Sequence, residues 1–146
     1  MSEPKITAVQ CFLTQPAGSR LVVVKVLTSE PGRPAIVQMT KGADLIAPSS
    51  VHWEIGNALS AMTRRGRLTP DQAQTVVRNY ERIPIRFVEV PLAEAVGLAA
   101  EHGIHAYDAY VIVCARRQRC KLISLDKSLL RIASAIGVDI LEVPPQ

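Results

Sequence analysis

Ala43-Asp44-Leu45-Ile46-Ala47-Pro48, followed at once by Ser49-Ser50-Val51-His52-Trp53-Glu54-Ile55, reads as a strand that stops and a helix that starts. The apolar run from Ala43 to Ala47 is too short for a helix, and Pro48 ends it. Ser49 or Ser50 can cap the next element, in which Val51, Ile55, Ala58, Leu59 and Met62 recur at helical spacing. Arg64, Arg65 and Arg67 crowd its end around Gly66, where positive charge suits the helix dipole and glycine suits the terminating turn. A strand passing directly into a covering helix is the unit of an α/β fold.

The remaining chain repeats that alternation. Thr69-Pro70-Asp71-Gln72 carries a Thr cap, a Pro at the first helical position and a Gln three after the cap, and Ala73, Val76, Val77 and Tyr80 form an amphipathic stripe behind it. Ile85 to Val90 reads as a strand with one solvated face. Pro91 opens a helix through Leu92, Val96, Ala99 and Ala100 that closes near Gly103. Tyr107 to Arg117 is apolar nearly all round, which places it in the middle of a domain. Lys121 to Leu125 is a strand, Ser128 to Ala135 a short helix, and Val138 to Val143 a last strand. The expected fold is α/β, a three-layer α/β/α domain over residues 1–146 with a mostly parallel sheet covered on both faces.

Composition agrees with one packed domain and narrows the function. The 146 residues are 48% hydrophobic and 21% charged, which excludes disorder and collagen-like repeats. The formal charge of +4 is compatible with a polyanionic partner without demanding one. Three cysteines, Cys11, Cys114 and Cys120, form no CxxC and are odd in number, so neither a disulfide framework nor a zinc knuckle is indicated. Met1-Ser2-Glu3-Pro4 lacks a basic leader, and no run approaches the ~18 apolar residues of a membrane span, so a cytoplasmic location with no membrane partner is expected. There is no GxxxxGK[ST] or GxGxxG loop for nucleotides, no HExxH for zinc and no GxSxG nucleophile elbow.

What remains is acidic. In open α/β sheets ligands collect beyond the carboxyl ends of the strands. Glu54 lies in the opening turns of the first helix, Asp108 in the first turn of the buried helix, and Asp126 directly after the strand ending at Leu125. Each has a structural reading: Glu54 as a solvated residue favoured by the dipole, Asp126 as an N-cap. Asp108 is harder to explain so, because it leads into the most apolar helix, where an unpaired carboxylate is costly to bury. Carboxylates gathered at one edge repel unless a hard cation joins them, and Mg²⁺ or Mn²⁺ takes oxygen ligands while leaving room for water and phosphate. Two basic groups could serve phosphate contacts, Arg64 with Arg65, Arg67, Arg78, Arg82 and Arg86, and Arg116 with Arg117, Arg119, Lys121, Lys127 and Arg131. The alternative is that both are solvated helix ends.

Four pieces, Ala43-Asp44-Leu45-Ile46-Ala47-Pro48, Glu54-Ile55-Gly56-Asn57-Ala58-Leu59, Ala106-Tyr107-Asp108-Ala109 and Ile123-Ser124-Leu125-Asp126, in this order resemble a PIN domain, and in detail the VapC type of bacterial toxin. The resemblance covers roughly Lys25 to the C-terminus. It implies an endoribonuclease in which Glu54, Asp108 and Asp126 hold Mg²⁺ or Mn²⁺ and cut single-stranded RNA. Ser124 supports Asp126 where the family's T-x-D motif has Thr. It also implies a homodimer and a small VapB-like antitoxin partner. The family ends its first strand with a further Asp, a principal metal ligand. Counted back from Glu30-Pro31-Gly32 that position falls on Ser19, and counted forward from Ile6 it falls near Cys11, so neither register supplies a carboxylate. Residues 10–21 are therefore atypical for the family. A catalytically impaired homologue that binds RNA or an antitoxin-like partner without cutting is the alternative. Finally, the family makes Leu21 to Ser29 a helix, whereas local propensity favours two strands, Ile6 to Leu13 and Leu21 to Leu27. The fold expected here follows the family.

Overall fold

The computed structural model describes residues 10–11, 21–22, 24–25 and 33–144. Three short strands come first: β1 (Gln10–Cys11), β2 (Leu21–Val22) and β3 (Val24–Lys25). The helix α1 (Arg33–Met39) is followed by β4 (Leu45–Pro48), α2 (Ser50–Arg64), α3 (Pro70–Glu81) and β5 (Ile85–Val88). Then come α4 (Leu92–His102), α5 (Ala106–Gln118), β6 (Lys121–Ile123), α6 (Lys127–Ala135) and β7 (Ile140–Leu141).

Parallel pairing dominates. β4 and β5 are in register from Leu45 opposite Ile85 to Pro48 opposite Val88. β6 sits between β2 and β7, with Val22 opposite Leu122 and Leu122 opposite Ile140. β2 also lies beside β4, so the two parallel ladders run next to each other. Consecutive strand residues point to opposite faces. Ile46 and Ala47, like Leu122 and Ile123, are all fully buried, so helices cover the strands on both sides. The α/β architecture expected from the sequence is the one found.

The helices form where their caps dictate. At α3 the Thr69 hydroxyl accepts from the Gln72 amide at 3.2 Å, while the Gln72 side chain accepts from the Thr69 amide at 2.8 Å. That reciprocal box satisfies two backbone donors that helix geometry leaves over. At the end of α2, Gly66 adopts φ +69, so the Gly66 and Arg67 amides reach back to the Thr63 and Met62 carbonyls. The helix α5 is the centre of the core. Val111, Ile112, Val113, Cys114 and Ala115 are buried in succession, which is possible only for a helix packed all round. It packs on α4, α2, β4 and β6.

Two expectations need correction, and one helix was not anticipated. Leu21–Val22 and Val24–Lys25 are strand, not the helix the family resemblance implies for Leu21 to Ser29. β-branched valines suit a pleated strand, and Lys121–Leu122 gives β2 a parallel partner while Gln10–Cys11 gives β3 an antiparallel one. Residues 23 and 26–29 lie outside the described residues. Ser49 occupies the N-cap position of α2 but its side chain does not cap. Its hydroxyl donates instead to Glu89 and to the Val88 carbonyl, tying the ends of β4 and β5 together. The helix α1, unforeseen from sequence, has no acidic residue in its first turn and no basic residue in its last. Its turn of chain carried no signal beyond Ile36, which is buried.

Candidate active site

Two of the three acids follow strand ends, and the third lies in the first turn of a buried helix. Only Ser49 separates β4 from α2, so Glu54 stands in the second turn of a helix that begins at a strand's carboxyl end. Asp126 follows the carboxyl end of β6 and precedes α6. Only Arg119 and Cys120 lie between α5 and β6, with Arg119 in the left-handed conformation at φ +51. So tight a connection turns the chain sharply between α5, whose first turn carries Asp108, and β6. Glu54, Asp108 and Asp126 are each half-buried.

Asp126 is the most fully determined of the three. Its Oδ1 accepts from the Ser128 amide at 2.9 Å and from the Leu129 amide at 3.1 Å, as an N-cap does. Its own amide donates to the Ser124 hydroxyl at 3.0 Å. Ser124 is buried, so its hydroxyl is shielded from water and fixes the turn between β6 and α6. The structural reading of Asp126 as a cap is therefore correct, and its carboxylate orientation is set by the same contacts. All three acids offer carboxylate oxygens, the donor type that Mg²⁺ and Mn²⁺ take. Among the described residues no three His, Cys, Asp or Glu side chains group closely enough to hold a metal ion. Cys11 lies in β1, paired with Val24, and Ser19 lies outside the described residues.

The flanks of α2 differ. His52, on the side of the helix away from Glu54, stacks on Phe87 with ring centroids 4.0 Å apart and hydrogen-bonds the buried Tyr80 hydroxyl through Nδ1 at 3.1 Å. This joins α2, α3 and β5 and assigns His52 to packing. Trp53, in contrast, is 60% exposed. Sequence reading passed over it, although it is the only tryptophan of the chain and precedes Glu54 directly. The second basic group is partly committed, because Arg116 and Arg117 both pair with Glu94 and fasten α5 to α4. Deeper in the core, burial pushes the Cys114 thiol up to about 12, with nearby Cys120 adding to the rise and Arg86 opposing it. No helix among the described residues is long and apolar enough to cross a membrane.

Comparison with known proteins gives this arrangement a lineage. Ribonuclease VapC3 of Pyrobaculum aerophilum is 30% identical over 81 residues, covering 53% of this chain and 62% of that protein. The chain thus matches less than two thirds of that relative's length. The crystal structure of PAE2754 from Pyrobaculum aerophilum superposes with a TM-score of 0.53 at 25% identity, covering 66% of this chain and 69% of that one. The PIN domain family model matches residues 22–135. Since that match opens in β2 and closes on the last residue of α6, it takes in Glu54, Asp108 and Asp126 alike, and this chain belongs to the PIN domain family.

Proposed function

We propose that the chain is a metal-dependent endoribonuclease of the VapC toxin type, hydrolysing phosphodiester bonds of single-stranded RNA. The observation that carries this reading is the PIN family match over residues 22–135, a span that includes Glu54, Asp108 and Asp126. The relative bearing the name Ribonuclease VapC3 supports it. The carboxylates of Glu54, Asp108 and Asp126 would hold Mg²⁺ or Mn²⁺. When bound, such an ion supplies a lowered pKa for water and neutralises charge on a phosphodiester. The chain's own contribution is positional. Ser124 and the first turn of α6 orient Asp126, the buried face of α5 anchors Asp108, and the β4–β5 tie at Ser49 fixes the start of α2 and with it Glu54. The test is metal-dependent cleavage of single-stranded RNA by the wild type and its loss in Asp108→Asn.

A second reading is supported by a specific observation. Neither Ser19 nor Cys11 provides the family's first Asp, and the described carboxylates do not close into a group of three. A site with fewer anionic ligands offers less compensation for dehydrating the ion, so it binds metal weakly. At the limit the protein is an impaired homologue that binds RNA or a VapB-like antitoxin without cutting. In either reading the chain works in the cytoplasm, beside a VapB-like partner, as a homodimer. The face for the second copy is α4, where Leu92 and Val96, one turn apart, are 65% and 51% exposed.

A further inference from the structure

Trp53 is exposed, and the other exposed large hydrophobics among the described residues, Leu92 and Val96, lie on a different helix, α4. On α2 it shares its helix face with Asn57, Ser60 and Arg64, at the i, i+4, i+7 and i+11 positions that line up on one side. All four are exposed. The face therefore runs from an aromatic ring through an amide and a hydroxyl to a guanidinium, about 16 Å further along the axis. Arg65 and Arg67 extend the cationic end, and no acidic residue occurs between Glu54 and Asp71. The face also adjoins the candidate active site, because Glu54 follows Trp53 directly and Asn57 stands one turn beyond Glu54 on the neighbouring side.

The α4 face proposed above for a second copy is built differently, since there Leu92 and Val96 share the exposed side with Ala93, Gly97 and Ala100. One isolated ring in a polar and cationic row suits a ligand with both a flat face and a negative backbone. An unpaired nucleic-acid strand has those two features, since any base can stack on an aromatic ring while phosphates meet arginine. We infer that the outer face of α2 is the track of the single-stranded RNA substrate, with one base stacked on Trp53 and the backbone continuing toward Arg64. The inference rests on the ribonuclease reading and adds to it the residue that grips the strand beside the acids. Trp53 is a substrate-positioning residue in this account, and Glu54 is the neighbour whose substrate it steadies.

Because Trp53 is the sole tryptophan, its emission reports on this face alone. The full chain is titrated with a short fluorescein-labelled single-stranded RNA in chelator, which keeps the strand intact, and both anisotropy and tryptophan emission are followed. Stacking predicts saturable quenching of Trp53 in step with the anisotropy. Trp53→Ala should bind roughly tenfold more weakly, as expected for one lost base–aromatic stack, while Trp53→Phe should keep most of the affinity. If RNA binds but emission does not move and Trp53→Ala binds as the wild type does, the track is wrong and the ribonuclease reading survives. If the wild type binds no RNA at all, that reading fails and takes the track with it. If Trp53→Ala instead changes the sedimentation of the chain without RNA, the face is a contact between copies and the inference is overturned.

Discussion

The backbone amide of Asp126 donates to the buried hydroxyl of Ser124 at 3.0 Å, so the residue just after β6 holds the acid that opens α6. Removing that hydroxyl leaves a backbone donor without its acceptor in a place water reaches poorly. Ser124→Ala should lower stability by about 1–2 kcal/mol, and Ser124→Thr should restore most of it by returning the oxygen. Urea unfolding of the three proteins measures the difference. Equal midpoints would show that the contact adds nothing.

Asp126 has two jobs in this account, and substitution separates them. Asparagine caps helices about as well as aspartate, whereas alanine costs about 1 kcal/mol at such a position. Asp126→Asn should therefore unfold near the wild type, and Asp126→Ala earlier. A ligand that prefers the folded state raises its melting temperature. Mn²⁺ should raise that of the wild type and leave both variants unmoved, which differential scanning fluorimetry can follow. An equal Mn²⁺ shift in Asp126→Asn would remove Asp126 from the metal set.

The fold was legible wherever local chemistry and tertiary packing agreed. The Thr69-Pro70-Asp71-Gln72 box is a short-range device that needs nothing from the rest of the chain, and it formed as read. The all-apolar run within α5 likewise forces burial. Leu21 to Lys25 was misread because two sources of information conflicted there. The valine run specifies strand, and the family pattern specifies helix. Pairing with Lys121–Leu122 and with Gln10–Cys11, invisible in a linear reading, settled it for the described residues. At the site, Glu54 in a helix directly after a strand, Asp126 directly after a strand and Asp108 in the first turn of the buried helix could be read from order alone. The cap at Asp126 could be anticipated, but not the support from a buried Ser124 hydroxyl. Trp53 escaped because exposure, which makes it unusual, is a property of the folded helix and not of its sequence.

Burial keeps Cys114 a neutral thiol across the physiological range, its ionisation pushed from the ordinary 9.0 up to about 12. Thiolates, not thiols, attack alkylating reagents. Iodoacetamide should leave Cys114 unmodified in the native protein at pH 8 and label it after unfolding, as read by peptide mass. The sign for stability follows from linkage. The unfolded chain loses this proton first, so the contribution is complete below pH 9.0 and declines as pH rises toward 12. Rapid native labelling of Cys114 at pH 8 would contradict its burial.

The α4 face should govern association. Leu92→Glu combined with Val96→Glu puts two charges on the most exposed large aliphatic side chains among the described residues. Sedimentation is expected to give a dimer for the wild type and a monomer for the double variant, with the far-ultraviolet dichroism of the two superimposable. A wild type that stays monomeric at micromolar concentration would end the dimer proposal, and a double variant that stays dimeric would move the interface elsewhere.

The central claim is that Glu54, Asp108 and Asp126 make a metal-dependent ribonuclease site. Its most direct test is cleavage of a single-stranded RNA panel, with and without added Mn²⁺, by the wild type, Asp108→Asn and the variants Ser19→Asp and Cys11→Asp that return a carboxylate at either register of the family's first Asp. The account predicts slow cleavage by the wild type that requires metal in roughly the millimolar range, as an under-liganded site should. It predicts loss of cleavage in Asp108→Asn and a gain in one of the two restored variants. Equal cleavage by the wild type and Asp108→Asn would place the activity elsewhere and contradict the claim, and cleavage by a restored variant alone would make the natural chain the impaired binding homologue.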